Sequence, residues 1–189
     1  KSFDFGTLCS SEQTIVAVEA LREKILSELH ARKAYLCDAA QGDALGKLLL
    51  DENLRVKPEC VGQCPVKIAR MAGFTVPSDT SILAGEIPGI GKQVPLSAEK
   101  LSPVLSLYFV KDFAAALDGC EAVLRLGGMG HTCAIHATDK ARVLEFGRRM
   151  PAFRVLVNTS SPLGSTGITT NVAPAMTLGC GAIAGNATS

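Results

Sequence analysis

Residues 104–157 read VLSLYFVKDFAAALDGCEAVLRLGGMGHTCAIHATDKARVLEFGRRMPAFRVLV, and this stretch decides the fold. The segment 104–110 carries no charge and is rich in apolar and aromatic side chains, the pattern of a buried strand. From 112 to 126 the apolar residues return at helical spacing until Gly127-Gly128 ends the run. Residues 132–136 form a second β-prone segment, 139–150 a second helical one, and 153–157 a third strand. Strands that alternate with helices need crossover connections, so the expected fold class is α/β with a mostly parallel sheet.

The alternation extends upstream. Residues 14–18 are short and β-branched, and from 19 to 33 Leu21, Ile25 and Leu29 recur at helical spacing among charges. A helix is expected over 38–50 with Asp38 as its cap, although Gly42 and Gly46 weaken it. Another is expected over 61–72, with Gly73 at the position after its end and a turn at Val76-Pro77-Ser78-Asp79. Residues 81–86 read as a strand. Pro88, Gly89, Gly91 and Pro95 make 87–102 a loop of a length usually tied to function. From 159 onward Ser, Thr, Gly and Asn dominate, with 175–178 expected to be extended. No internal repeat or interdomain linker is visible.

Composition narrows the function. In 189 residues, 19 basic and 18 acidic side chains leave a net charge of +1, which removes the basic excess that nucleic-acid binding requires. A hydrophobic content of 47% argues for a folded core. Charged residues at 20% and a mean hydropathy of +0.25 suggest that part of the surface meets a partner. No apolar run approaches the roughly 18 to 20 residues of a spanning helix, and the N-terminus lacks signal-peptide regions, so no membrane association is expected. Seven scattered cysteines, an odd number, read as reduced thiols in a cytoplasmic setting. Lys1 in place of an initiator Met reads as a fragment or processed product.

Several residues are candidates for chemistry. Cys9 lies on a Gly- and Ser-containing loop leading into a strand, a setting that suits an exposed nucleophile. Cys60 and Cys64 are spaced on an expected helix, but no second cysteine pair exists to complete a zinc site, and no metal is expected. Gly179-Cys180-Gly181-Ala182-Ile183-Ala184 has dinucleotide-loop spacing with too little chain after it for the βαβ unit that such a loop needs; Cys180 is a weaker nucleophile candidate. His131, at a loop-to-strand junction, could project into a cleft as a proton shuttle, with His136 facing the other way. Glu99, at the end of the long loop, could accept hydrogen bonds from a sugar diol.

Cys9-Ser10-Ser11-Glu12-Gln13 resembles the active-site segment of the CoA-acylating aldehyde dehydrogenases, a group that includes acetaldehyde and propionaldehyde dehydrogenases and the aldehyde half of bifunctional aldehyde-alcohol dehydrogenases. The likeness continues through Lys100-Leu101-Ser102-Pro103-Val104-Leu105, Gly130-His131-Thr132, Val157-Asn158 and the stretch from Ala173 to Gly181, in the family's order. It covers nearly the whole chain. The resemblance implies an aldehyde dehydrogenase catalytic domain spanning 1–189, with the Rossmann-type cofactor domain and the C-terminal oligomerisation strand outside it.

By that resemblance Cys9 attacks a short aldehyde as a thiolate, hydride passes to NAD+, and the thioester hands its acyl group to coenzyme A. Glu99 matches the glutamate that contacts the nicotinamide ribose, with Pro103 four residues on; His131 matches a histidine of the acylating branch. The amides around Ser10 and Ser11 are expected to stabilise the thiolate. The resemblance further implies a homo-oligomeric parent, in the cytoplasm or a bacterial microcompartment. Phe5 departs from the Asn usual in the family, which bears on substrate size. Two other readings stay open: a non-redox thiol acyltransferase using Cys9 or Cys180, and a catalytically idle scaffold domain.

Overall fold

The computed structural model describes residues 1–127 and 129–173. The element order is β1 (Thr14–Val18), α1 (Arg22–Ala31), β2 (Ala34–Cys37), α2 (Ala39–Leu49), α3 (Pro65–Met71), β3 (Ile82–Glu86), β4 (Val104–Val110), α4 (Phe113–Gly127), β5 (Thr132–Ile135), α5 (Lys140–Arg149), β6 (Arg154–Val157) and α6 (Ser161–Ser165). Four strands form one wholly parallel sheet in the order β1-β4-β3-β2, and β5 and β6 form a second parallel pair. The α/β expectation therefore holds, with two sheets among the described residues.

Alternation along the strands distributes the core. Leu83 and Val104, opposite one another in the β3–β4 pair, point into a cluster with Leu45, Leu49, Ile68 and Leu96. Their neighbours Ile82, Ala84, Leu105 and Leu107 point to the other face, where Leu26 and Leu29 of α1 cover them. A third cluster of Leu117, Leu124, Ile135, Phe146 and Met150 joins α4 and α5 to β5. Among the described residues no helix is long and apolar enough to cross a membrane.

Some elements differ from the sequence reading. The expected helix over 19–33 ends at Ala31, and β2 follows almost at once. Lys33 makes the break by taking a left-handed φ of 62°, and its carbonyl accepts a hydrogen bond from the Ser81 amide at 2.9 Å. No Gly or Pro marks that point. The helix expected over 61–72 starts at Pro65, whose fixed φ suits a first turn. Cys60 and Cys64 consequently share no helix: Cys60 is buried in a 3-10 turn, and Cys64 is the residue before α3. The stretch 175–178, the glycine loop and Cys180 lie outside the described residues.

Cys9 and Glu99 each precede a strand by five residues, β1 and β4, and these strands are neighbours. His131 directly precedes β5. All the strands run parallel within their sheets, so the three candidates gather at amino ends of strands rather than at the carboxyl ends where open α/β sheets usually bind ligands.

Candidate active site

The chain enters the site through a tight hook. Asp4 and Phe5 both have φ of 47°, and Gly6 has φ of 72°. Such left-handed backbone is ordinary for Gly and Asn and costly for a bulky residue, so an aromatic at Phe5 is held there by its surroundings. The hook rests on the Ser102 backbone, because a Cβ on Gly6 would lie 2.4 Å from the Ser102 carbonyl oxygen. The Asp4 carbonyl accepts from the Thr7 amide at 3.1 Å and from Thr7 Oγ1 at 2.8 Å.

Cys9 follows in a turn closed by the Ser11 amide donating to the Leu8 carbonyl at 2.8 Å. The Ser11 amide is therefore engaged, contrary to the expectation that it faces the sulfur. The Cys9 and Ser10 amides donate no hydrogen bond among the described residues. Cys9 is the one exposed thiol of the described cysteines. Burial pushes Cys37 and Cys133 up to about 12 and Cys120 up to about 11, which keeps those thiols protonated and inert.

Beyond Cys9, each residue of the Ser10-Ser11-Glu12-Gln13 segment is buried or half-buried, and three of them anchor it. Ser10 Oγ lies 2.6 Å from Ser165 Oγ, a buried hydroxyl pair. The Ser161 amide donates to Glu12 Oε1 at 2.8 Å. Burial acts to raise the Glu12 carboxyl, but hydrogen bonds from its own amide and from Ser161, with the nearby terminal ammonium, leave it lowered. On the other side the Lys100 amide donates to Gln13 Oε1 at 3.1 Å, and the Ser106 amide donates to the Gln13 carbonyl at 3.1 Å. One short segment thus ties Cys9 to α6 and to the loop of Glu99.

Glu99 is exposed and its carboxylate accepts no hydrogen bond among the described residues. Desolvation against the protein wall raises its pKa, opposed by the charges of Lys1 and Lys100. The next side chain turns inward. Lys100 is fully buried, and its Nζ donates to the carbonyls of Leu96 at 2.6 Å and Ala98 at 2.9 Å and to Ser106 Oγ at 3.2 Å. Pro103 is also fully buried, its carbonyl accepting from the Leu83 amide at 2.9 Å, so it starts β4 and presents no surface.

His131 reaches this site through intermediaries. Its Nδ1 lies 3.0 Å from Thr132 Oγ1, and burial and the Arg154 charge lower its pKa below the ordinary 6.5. Arg154 Nη1 donates to the Ser165 carbonyl at 3.3 Å, and Ser165 Oγ meets Ser10 beside Cys9. His136 falls just past β5 and is exposed. Asn158 closes the far end of β5–β6 with a paired hydrogen bond to the backbone of Ala137, both at 3.0 Å. Sequence reading missed Lys100, Ser106, Arg154 and Ser165. The one visible signal was a lysine next to the apolar run that forms β4, and lysines ordinarily read as surface.

No protein-family model matches the chain. It is 38% identical over 195 residues to the bifunctional aldehyde-alcohol dehydrogenase AdhE of Escherichia coli K12, a match spanning 100% of this chain and 22% of that protein. It is 35% identical over 196 residues to a sulfoacetaldehyde dehydrogenase (acylating) of Bilophila wadsworthia, covering 100% of this chain and 42% of the relative. Among solved structures, the acetylating aldehyde dehydrogenase of Geobacillus thermoglucosidasius superposes with a TM-score of 0.92 at 39% identity, over 98% of this chain and 41% of that one. The chain thus spans less than half the length of each of these proteins.

Proposed function

Because the chain is homologous over its whole length to part of the acylating aldehyde dehydrogenases, we propose that it is the nucleophile-bearing catalytic domain of such an enzyme, oxidising a short aldehyde to its acyl-CoA. The observation that carries this reading is the pairing of the exposed Cys9 thiol with the Glu99 loop through Gln13, within one rigid segment.

Cys9 thiolate adds to the aldehyde carbonyl carbon, forming a C–S bond and an oxyanion. The free amides of Cys9 and Ser10 are the donors nearest that charge, and they cost no reorganisation because the turn already fixes them. What a bound nicotinamide supplies is acceptance of the hydride lost as the adduct becomes a thioester. The thiolate of coenzyme A then attacks the thioester carbon, the bond to Cys9 Sγ breaks, and acyl-CoA leaves. His131, held neutral by burial and by Arg154, takes the proton from the CoA thiol.

The residues present fit a nicotinamide dinucleotide. Glu99 offers an accessible carboxylate without a protein partner among the described residues, and an ionised carboxylate is an acceptor matched to the two donors of a ribose diol. Pro103, buried behind it, fixes where the loop joins β4.

The test uses the complete enzyme, meaning this chain joined to the portions its relatives carry beyond it. NADH should form from acetaldehyde or propionaldehyde only when coenzyme A and NAD+ are both present, and Cys9→Ala should abolish it. CoA-dependent acyl transfer without NADH formation would favour a non-redox transferase, and retention of activity in Cys9→Ala would remove the assignment.

A further inference from the structure

The peptide groups on both sides of Glu99 are pinned. The carbonyl of the Ala98–Glu99 peptide accepts from Lys100 Nζ at 2.9 Å, and the N–H of the Glu99–Lys100 peptide donates to Gln13 Oε1 at 3.1 Å. With both neighbouring peptide planes fixed, the direction in which the Glu99 side chain leaves the backbone is fixed too. Lys100 also holds the Leu96 carbonyl at 2.6 Å, which Ser106 Oγ shares from the middle of β4 at 2.6 Å.

The cost of this arrangement marks it as more than packing. A fully buried lysine gives up its hydration, and burial lowers its pKa well below the usual value. Three acceptors around Nζ match the three donors of an ammonium, and an apolar residue of the same length would fill the space without the desolvation cost. What the ammonium adds is a directional hold on a loop that otherwise carries a 3-10 turn at Pro95–Ser97 and a left-handed Leu101 at φ 42°.

We propose that Lys100 is a positioning residue for the nicotinamide cofactor: its buried side chain fixes the loop that presents Glu99, while Gln13 keeps that loop in register with Cys9. This rests on the assignment of Glu99 to the cofactor ribose. It predicts that cofactor affinity and nucleophile function can be separated.

Lys100→Met is compared with Glu99→Gln. In the chain alone, Lys100→Met should speed amide hydrogen exchange across 96–100 by about tenfold or more while leaving the Ser161 amide unchanged. In the complete enzyme, the NADH Kd from fluorescence and the KM for NAD+ should both rise about tenfold or more, with kcat at saturating NAD+ kept within about threefold. Acylation of Cys9 by acetyl-CoA should persist. If Lys100→Met does not fold, Ser106→Ala removes one acceptor and should move exchange and Kd in the same direction by a smaller factor. A rise in Kd for Glu99→Gln with none for Lys100→Met or Ser106→Ala would overturn the proposal. Equal losses of acylation and cofactor affinity in Lys100→Met would make it a general structural residue and also overturn it. An unchanged Kd in Glu99→Gln would instead remove the ribose assignment, and the proposal with it.

Discussion

Gly6→Ala probes the hook that carries Cys9. A Cβ at this position would sit 2.4 Å from the Ser102 carbonyl oxygen and 2.8 Å from its carbon, inside the 3.0 Å that real Cβ contacts essentially never pass. Those atoms are backbone, locked into the start of β4 by the Val104 amide donating to the Ser102 carbonyl at 2.7 Å, so the hook must move instead. The left-handed φ of 72° costs an L-residue about 1 to 2 kcal/mol, and the overpacking about 1 to 3 kcal/mol more. Gly73→Ala supplies the control: its φ is 91°, with nothing within 4 Å of the added Cβ, so only the backbone cost of about 1 to 2 kcal/mol applies. Denaturant unfolding should rank Gly6→Ala below Gly73→Ala. Acylation of Cys9 by acetyl-CoA should fall about tenfold or more in Gly6→Ala, because more than half an ångström of displacement lies beside the nucleophile, and stay at the parent rate in Gly73→Ala. Equal stabilities together with equal acylation rates for the two variants would refute the reasoning.

Glu12 should contribute to acid stability. Its folded pKa is lowered, so the folded state binds fewer protons than the unfolded state; its stabilisation is present above the ordinary 4.5 and is lost as pH falls through the folded value. Glu12→Gln should flatten that acid limb in unfolding curves, and an unchanged limb would contradict the role given to the Ser161 contact. For His131 the lowered pKa predicts that CoA-dependent deacylation stays near its maximum at neutral pH and declines only below the ordinary 6.5. His131→Ala should slow that step by about 10²-fold or more and remove this limb, as read by rapid-mixing kinetics; equal rates would remove the residue from the chemistry.

The alternation of strand and helix was legible because each strand from β3 onward is bounded by glycines, prolines or capping residues. The β2 strand was not, since Lys33 breaks the chain with a left-handed φ that no residue type there announces. Cys9, Glu99 and His131 could be singled out from loop position and resemblance. The side chains that join them could not, because Gln13, Lys100, Arg154 and Ser165 act through pairings with |i−j| as large as 155, and sequence spacing carries no information on those. A short helix of Ser-Pro-Leu-Gly-Ser, too brief for helical periodicity, proved to be the anchor of the nucleophile segment.

The central claim is that Cys9 is an acyl-accepting nucleophile, and the most direct test needs no nicotinamide. The chain is incubated with acetyl-CoA or propionyl-CoA, its intact mass is measured, and the adduct is mapped to a peptide. In this direction the Cys9 thiolate displaces CoA thiolate from the thioester, so atoms and electrons balance without an oxidant. The account predicts one acyl group on the peptide bearing Cys9 and none in Cys9→Ala. An adduct on Cys180 or another cysteine, or a folded chain that stays unmodified at Cys9, would contradict it.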